Sequence, residues 1–362
     1  MTWSSVWIRA LPVLAFAAWT PAQSYAVVEL GPAAPFSESA ANAINAHGAV
    51  AGYVVAGGRR RGAVWDDRGT VVLELRRGQR FGEALDLSDN GTALGYGVAV
   101  QCRLARGDRC EIEILNATAL LWRTRAAVPI ERLLRRGSPL RLYEARKANA
   151  LGDMVGRGYR GDSFLPWQAW VFARGAVTEL GTLSGSPGDQ TDAESINDLG
   201  QVVGRSYVAG WSRAFVWANG RFGDLHEHPA IQGQWSWARD INNAGDVVGQ
   251  AKFSAGAGGW SSAALWRDGT VVDVGAGAPA FIGESRLDAI NDLGVAVGFA
   301  QSRRGIVAVR YRGGQLADLN DEIDPAAGWT LLVARDINDR GQIVGQGVHQ
   351  GRLAAFRLDP LP

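Results

Sequence analysis

Hydrophobic and polar residues alternate along this chain in short runs that end at glycine, asparagine or aspartate, and no apolar stripe keeps a helical period. That is the pattern of strands joined by tight turns. One stretch shows the order. Ala193-Glu194-Ser195-Ile196 leads into a turn at Asn197-Asp198-Leu199-Gly200, and Gln201-Val202-Val203-Gly204 follows. Next come Arg213-Ala214-Phe215-Val216-Trp217 and, after Asn219-Gly220, Arg221-Phe222-Gly223-Asp224-Leu225. These read as four consecutive strands, a to d, and predict an all-β fold.

The unit recurs. A glycine followed four residues later by a second, usually behind Ile-Asn, stands at Gly48/Gly52, Gly91/Gly95, Gly152/Gly156, Gly200/Gly204, Gly245/Gly249, Gly294/Gly298 and Gly341/Gly345. The first glycines lie 43, 61, 48, 45, 49 and 47 residues apart, a period at which each unit buries its faces against copies of itself. In the a–b turn an asparagine side chain can bond the backbone two residues on, and the glycine three positions later takes the left-handed conformation. Asn45, Asn149, Asn197, Asn242, Asn291 and Asn338 fill that position, and Ser88 replaces them in the second copy. The second glycine, inside strand b, is expected to make room where neighbouring units crowd together. Strand c carries an alanine and, three residues later, a ring: Trp122, Phe172, Trp217, Trp266 and Tyr311, with Trp65 placed similarly after Gly62 and Leu358 in the last copy. Rings at one place per sheet are a feature of propeller blades and are expected in the core between them.

The ends of the repeat suggest a closed ring. The last copy stops after strand c at Ala354-Ala355-Phe356-Arg357-Leu358, whereas Ala26-Val27-Val28-Glu29-Leu30-Gly31 stands unpaired ahead of the first. That segment reads like the strand d Ala176-Val177-Thr178-Glu179-Leu180-Gly181. Completing the last blade with the first strand gives a seven-bladed β-propeller of four-stranded blades, with strand d outermost. A linear β-solenoid, the alternative, gives no reason for the mismatched ends.

The Ile-Asn-Asp-x-Gly-x-Val-Val-Gly phrase followed by Ala-Phe-x-Trp resembles the bacterial HAF family of probable extracellular repeats, over residues 26 to 358. The resemblance implies export and a repeat fold, and brings no activity with it. One departure stands out. The His-Ala-Phe tripeptide of the family name is absent, the fourth copy reading Arg213-Ala214-Phe215 and the third Gln168-Ala169-Trp170, so no role of that histidine transfers.

Composition narrows the compartment and the partners. A net charge of +1 suggests neither a nucleic-acid partner nor an anionic membrane. Arginine runs at Arg59–Arg61, Arg76/Arg77/Arg80 and Arg303/Arg304 are scattered over different blades and read as solvated surface. Only Lys147 and Lys252 are lysines. Residues 1–26 read as a signal peptide, with Arg9 ahead of the apolar run Ala10–Trp19 and small residues at Ser24-Tyr25-Ala26. Residues 27–362 then form the single propeller domain, exported to the periplasm or beyond, with no transmembrane segment after cleavage. Cys102 and Cys110 fall in a long insertion, residues 101–116 of the second copy, and in an exported chain read as a disulfide.

Strand direction puts the short a–b and c–d turns on one face and the irregular b–c and d–a connections on the other. Trp167, Trp211 and Trp260 lie in or beside b–c loops, and Trp235 and Trp329 near d–a connections. Such rings on a rigid scaffold suit a sugar chain or a peptide. His226 and His228, in Asp224-Leu225-His226-Glu227-His228, add a weak signal for acid–base or metal chemistry. The runs at Asp336–Asp339, Asp240–Asn243 and Asn291–Asp292 read as capped turns, since a calcium loop needs a fuller set of converging oxygens. No Gly-x-Ser-x-Gly, phosphate loop or His-Glu-x-x-His occurs. The sequence therefore predicts an exported, monomeric, non-catalytic binding propeller without cofactor or metal. It would recognise an extracellular polysaccharide or protein through the b–c and d–a face. The alternative is an exported hydrolase or lyase whose axial site draws on several blades.

Overall fold

The computed structural model describes residues 24–31, 36–104, 110–161, 165–254, 259–276 and 278–362, without the side chains of 101–104 and 110–113. They form seven antiparallel sheets of four strands each. Six blades take their strands in chain order, with Glu38–Ile44, Phe81–Leu87, Arg141–Ala148, Thr191–Ile196, Ser236–Ile241 and Phe281–Ile290 as the strands a. Blade 7 is built from Trp329–Ile337, Ile343–His349 and Arg352–Pro360, and its outer strand is Tyr25–Glu29 from the start of the chain. Val27 pairs with Leu358 in this clasp, so the ring closes as the mismatched ends suggested. The strands a surround the axis.

The clasp begins earlier than expected. Tyr25 is buried in the core of blade 7, and Ser24 N–H donates to the Glu322 carbonyl at 2.9 Å. The fold therefore takes in residues that the sequence assigned to the leader, and residues 1–23 lie outside the described chain. The insertion at 101–116 also takes a different form. It lengthens strands b and c of blade 2 into one hairpin, Ala93–Leu104 against Cys110–Trp122, because the added residues keep the ladder. Cys102 stands opposite Ile112 and Cys110 opposite Leu104; the expected disulfide lies outside the described side chains.

Seven apolar clusters each straddle two consecutive blades. The strand-c rings sit in them, Trp122 and Trp266 buried and Trp217 partly so. Phe215 and Phe356, two strand positions before Trp217 and Leu358 and on the same face, are fully buried, each worth roughly 1.5–3 kcal/mol against exposure.

Every strand a carries a β-bulge, and it lies at the same place: between Ala41/Ala43, Ala84/Asp86, Ala145/Lys147, Ala193/Ser195, Ala238/Asp240, Leu287/Ala289 and Ala334/Asp336. This explains the second glycine and corrects the reason expected for it. A Cβ on Gly204 would stand 1.9 Å from the Asp192 carbonyl oxygen, and one on Gly249 2.0 Å from that of Trp237. The close approach is to the bulged strand of the same blade, not to a neighbouring unit.

The turn asparagines do more than cap. Asn45 Oδ1 accepts from His47 N and Ala49 N at 3.0 Å, as the turn chemistry predicts. Its Nδ2 donates to the Ser88 carbonyl of the next blade at 3.2 Å. Asn149, Asn197, Asn242, Asn291 and Asn338 repeat that donation around the ring at 3.0–3.1 Å, the last returning to Asn45. Ser88 directs its hydroxyl within its own turn instead.

Candidate binding site at the propeller axis

The bulge turns the residue three places before each turn asparagine toward the axis. These residues are Asn42, Leu85, Arg146, Glu194, Arg239, Asp288 and Arg335, all lining an axial cavity of about 340 Å³. One step nearer the a–b mouth come Asp86, Lys147, Ser195, Asp240 and Asp336. Lys147, Ser195, Asp240 and Asp336 also border a second chamber of about 710 Å³, rimmed by the turn asparagines. The channel thus has two chambers and a charged constriction.

At the constriction one lysine meets three carboxylates. Lys147 Nζ lies 3.6 Å from Asp336 Oδ1. Each aspartate also accepts a backbone N–H from the following blade: Asp86 from Ala148 at 2.8 Å, Asp240 from Ile290 and Asp336 from Ile44 at 2.9 Å. Asp240 further accepts from Ser195 Oγ at 2.6 Å. Burial raises Asp336 to about 6, against the pull of Lys147, and raises Asp86 as well. Burial alone would lower Lys147, but Asp336, Asp240 and Asp86 together raise it. Asn242, Asn291 and Asn338 cap the turns of these runs as expected, while Asp240 and Asp336 in the same runs serve the inner strands. Among the described residues no group of three or more His, Cys, Asp or Glu is arranged to hold a metal.

Above the constriction a salt-bridge network spans blades 3 to 6. Arg146 pairs with Glu144 and Glu194. Arg157 reaches Glu144 at 3.2 Å and Asp192 at 3.5 Å, and Arg205 reaches Asp192 at 3.0 Å. Arg239 joins Glu194 at 2.9 Å to Asp288 at 3.2 Å, and Arg286 holds Asp288 at 2.8 Å. Burial opposes ionisation of Asp288, yet Arg286 and Arg239 keep it below the ordinary carboxylate range. Several of these arginines lie on rings: Arg205 at 3.9 Å and Arg239 at 4.6 Å from the Trp237 centroid, and Arg157 at 4.8 Å from that of Trp167. On blades 1 and 2, Arg60, Asn42 and Tyr96 converge on Glu83 at 2.8–3.1 Å.

The five tryptophans do not form one patch. Trp167 packs on Tyr143 at 4.8 Å and on Arg157, and Trp235 meets Trp237 edge-on at 6.4 Å; both stand behind arginines of the axial cavity and do not line it. Trp211 and Trp260 stand 49% and 70% exposed on b–c connections of adjacent blades. Trp329 stacks on His349 at 4.6 Å and packs against the blade 7 core. His226 Nδ1 lies 2.8 Å from Ser236 Oγ, and burial and Arg213 lower its pKa. His228 borders a separate groove between blades 4 and 5, so the two histidines do not converge with the axial groups.

Sequence reasoning missed the axial ring. Its signal was present: charged residues inside a strand, three before the turn asparagine and next to a fully buried alanine, as at Ala145-Arg146-Lys147, Ala238-Arg239-Asp240 and Ala334-Arg335-Asp336. A regular strand would have sent those neighbours to opposite faces. The bulge aims both at the axis.

No protein-family model matches the sequence, and no curated protein matches it. Among solved structures, the chain is similar to the β-propeller domain of the Trilobed protease from Pyrococcus furiosus, described as having an open velcro topology. The TM-score is 0.55 at 10% identity, over 91% of this chain and 95% of that one. TolB from Acinetobacter baumannii aligns at a TM-score of 0.39 and 11% identity, over 83% of this chain and 76% of that one. The likeness to the protease domain supports the propeller fold alone.

Proposed function

We propose that this chain is an exported binding propeller of the HAF-repeat type that holds an extracellular or envelope glycan on its b–c and d–a face. The observation that carries this is the pairing of two kinds of surface there. Trp211 and Trp260 present exposed rings on adjacent blades, and the axial wall carries Arg239 on Trp237 and Arg157 on Trp167. Flat rings with polar groups beside them suit the alternating apolar and hydroxyl faces of sugars. In this reading the mature chain starts at or before Ser24, because Tyr25 is part of the core.

The test is intrinsic tryptophan fluorescence of residues 24–362, titrated with soluble polysaccharides and peptidoglycan fragments. A saturable change is expected, and it should weaken when Trp211 and Trp260 are both replaced by alanine in a protein of unchanged melting temperature. No response across the panel would overturn the glycan reading. One observation favours a second reading, as a hydrolase or lyase: Asp336, held near 6 between two chambers, has the poise of a general acid or base. Assaying the same panel for new chain ends separates the two.

A further inference from the structure

The axial charges are unevenly matched. Arg146, Arg157, Arg205, Arg239 and Arg286 each hold a carboxylate. Arg335, on blade 7, lines the same cavity and has no hydrogen-bond or ion-pair partner among the described residues, and its Nε is buried and unsatisfied. The anion whose ionisation it assists, Asp288, is already gripped by Arg239 and Arg286 at 3.2 and 2.8 Å. On its other side the ring continues with the neutral Asn42 and Leu85. The network therefore ends on an unmatched guanidinium beside an arc whose one charge, Glu83, is already held by Arg60, Asn42 and Tyr96. Leaving a buried donor unmade is costly, and a guanidinium fork fits a carboxylate in two-point contact.

We infer that Arg335 is an anion subsite, and that the axial cavity takes a carboxylate-bearing sugar, a uronate at the end of an acidic glycan. This rests on the glycan reading above. Three features fit the assignment. The cavity, at about 340 Å³, lies at the lower end of the range for small-ligand sites, which suits a chain end. The constriction at Lys147 and its three aspartates narrows the way beyond it. Asn42 does not compete for the anion, since its Nδ2 already donates to Glu83 Oε1 and the Ala84 carbonyl, both at 2.8 Å.

The experiment compares a trisaccharide of galacturonic acid with the same trisaccharide after reduction of its carboxylates, by calorimetric titration of residues 24–362. The acid is expected to bind about 10- to 100-fold more tightly, the range for one or two charge-assisted hydrogen bonds, and added NaCl should erode the difference. Arg335→Gln should remove most of the preference, the acid losing far more affinity than the reduced sugar. Arg335→Lys should keep part of it. Equal affinity for the two sugars in the unmodified protein would overturn the anion subsite while leaving glycan binding intact. Binding of neither would overturn both. A preference that survives in Arg335→Gln would remove Arg335 from the site. If that variant fails to fold, the two-sugar comparison in the unmodified protein still decides.

Discussion

A single asparagine per copy does two jobs that are usually divided. Its oxygen closes its own turn and its amide donates to the next blade, so the residue that ends strand a also fastens the ring. Ser88 ties its own turn by donating to the Thr92 carbonyl, leaves Asn90 Oδ1 to accept from Thr92 N, and gives up the second job. Two positions earlier, the axial aspartates make the molecule sensitive to acid in an unusual direction. Asp336 is raised from 3.8 to about 6, so between about pH 4 and 6 the folded state binds more of this proton than the unfolded state does. Its contribution to stability is greatest below that window and is lost as pH rises through it. Asp86 acts in the same direction and Asp288 in the opposite one, so the difference between variant and parent isolates Asp336. Urea unfolding across pH 4–7 should show a flatter profile for Asp336→Asn, with stability at pH 7 no lower than the parent. An unchanged slope would mean that Asp336 titrates as an ordinary carboxylate.

At the scale of the strand, the bulge and the glycine facing it form one device. Gly204→Ala would place a methyl 1.9 Å from a backbone oxygen, which no side-chain adjustment relieves. A loss of about 1–3 kcal/mol or more is expected in denaturant unfolding, against at most about 0.5 kcal/mol for Gly137→Ala, where nothing stands within 4 Å. Equal effects would sink the close-approach account. The same device marks the limit of what could be read from the chain. Strand number, blade number and the clasp were legible because turn glycines and alternating runs repeat in the sequence itself. The axial site was not, because alternation assigns neighbouring residues such as Arg239 and Asp240 to opposite faces, and only the inserted residue sends both inward. The exposed rings Trp211 and Trp260 were identifiable as lying in loops, whereas Trp237, inside strand a of blade 5, carried no signal of its own. Trp329 looked like a loop residue and instead packs on the blade 7 core.

For the whole molecule, closure depends on a strand of five residues, Tyr25–Glu29. Removing residues 24–29 would expose the edge Arg352–Pro360 and uncover the core around Phe356 and Leu358. Such a truncated chain should unfold at clearly lower denaturant and elute as larger species in size-exclusion chromatography. A monomer of parental stability would show the clasp to be dispensable. The same joint has a geometric meaning. Leu361 N–H donates to the Ser24 carbonyl at 2.9 Å, so the first described residue and the last but one are neighbours at the rim of one blade. The polypeptide's starting point is then an accident of numbering: a short linker between these ends, with a new break in any d–a connection, would describe the same ring. Anything joined directly ahead of Ser24 or after Leu361 would leave the molecule from one spot, away from the axis and clear of both its mouths.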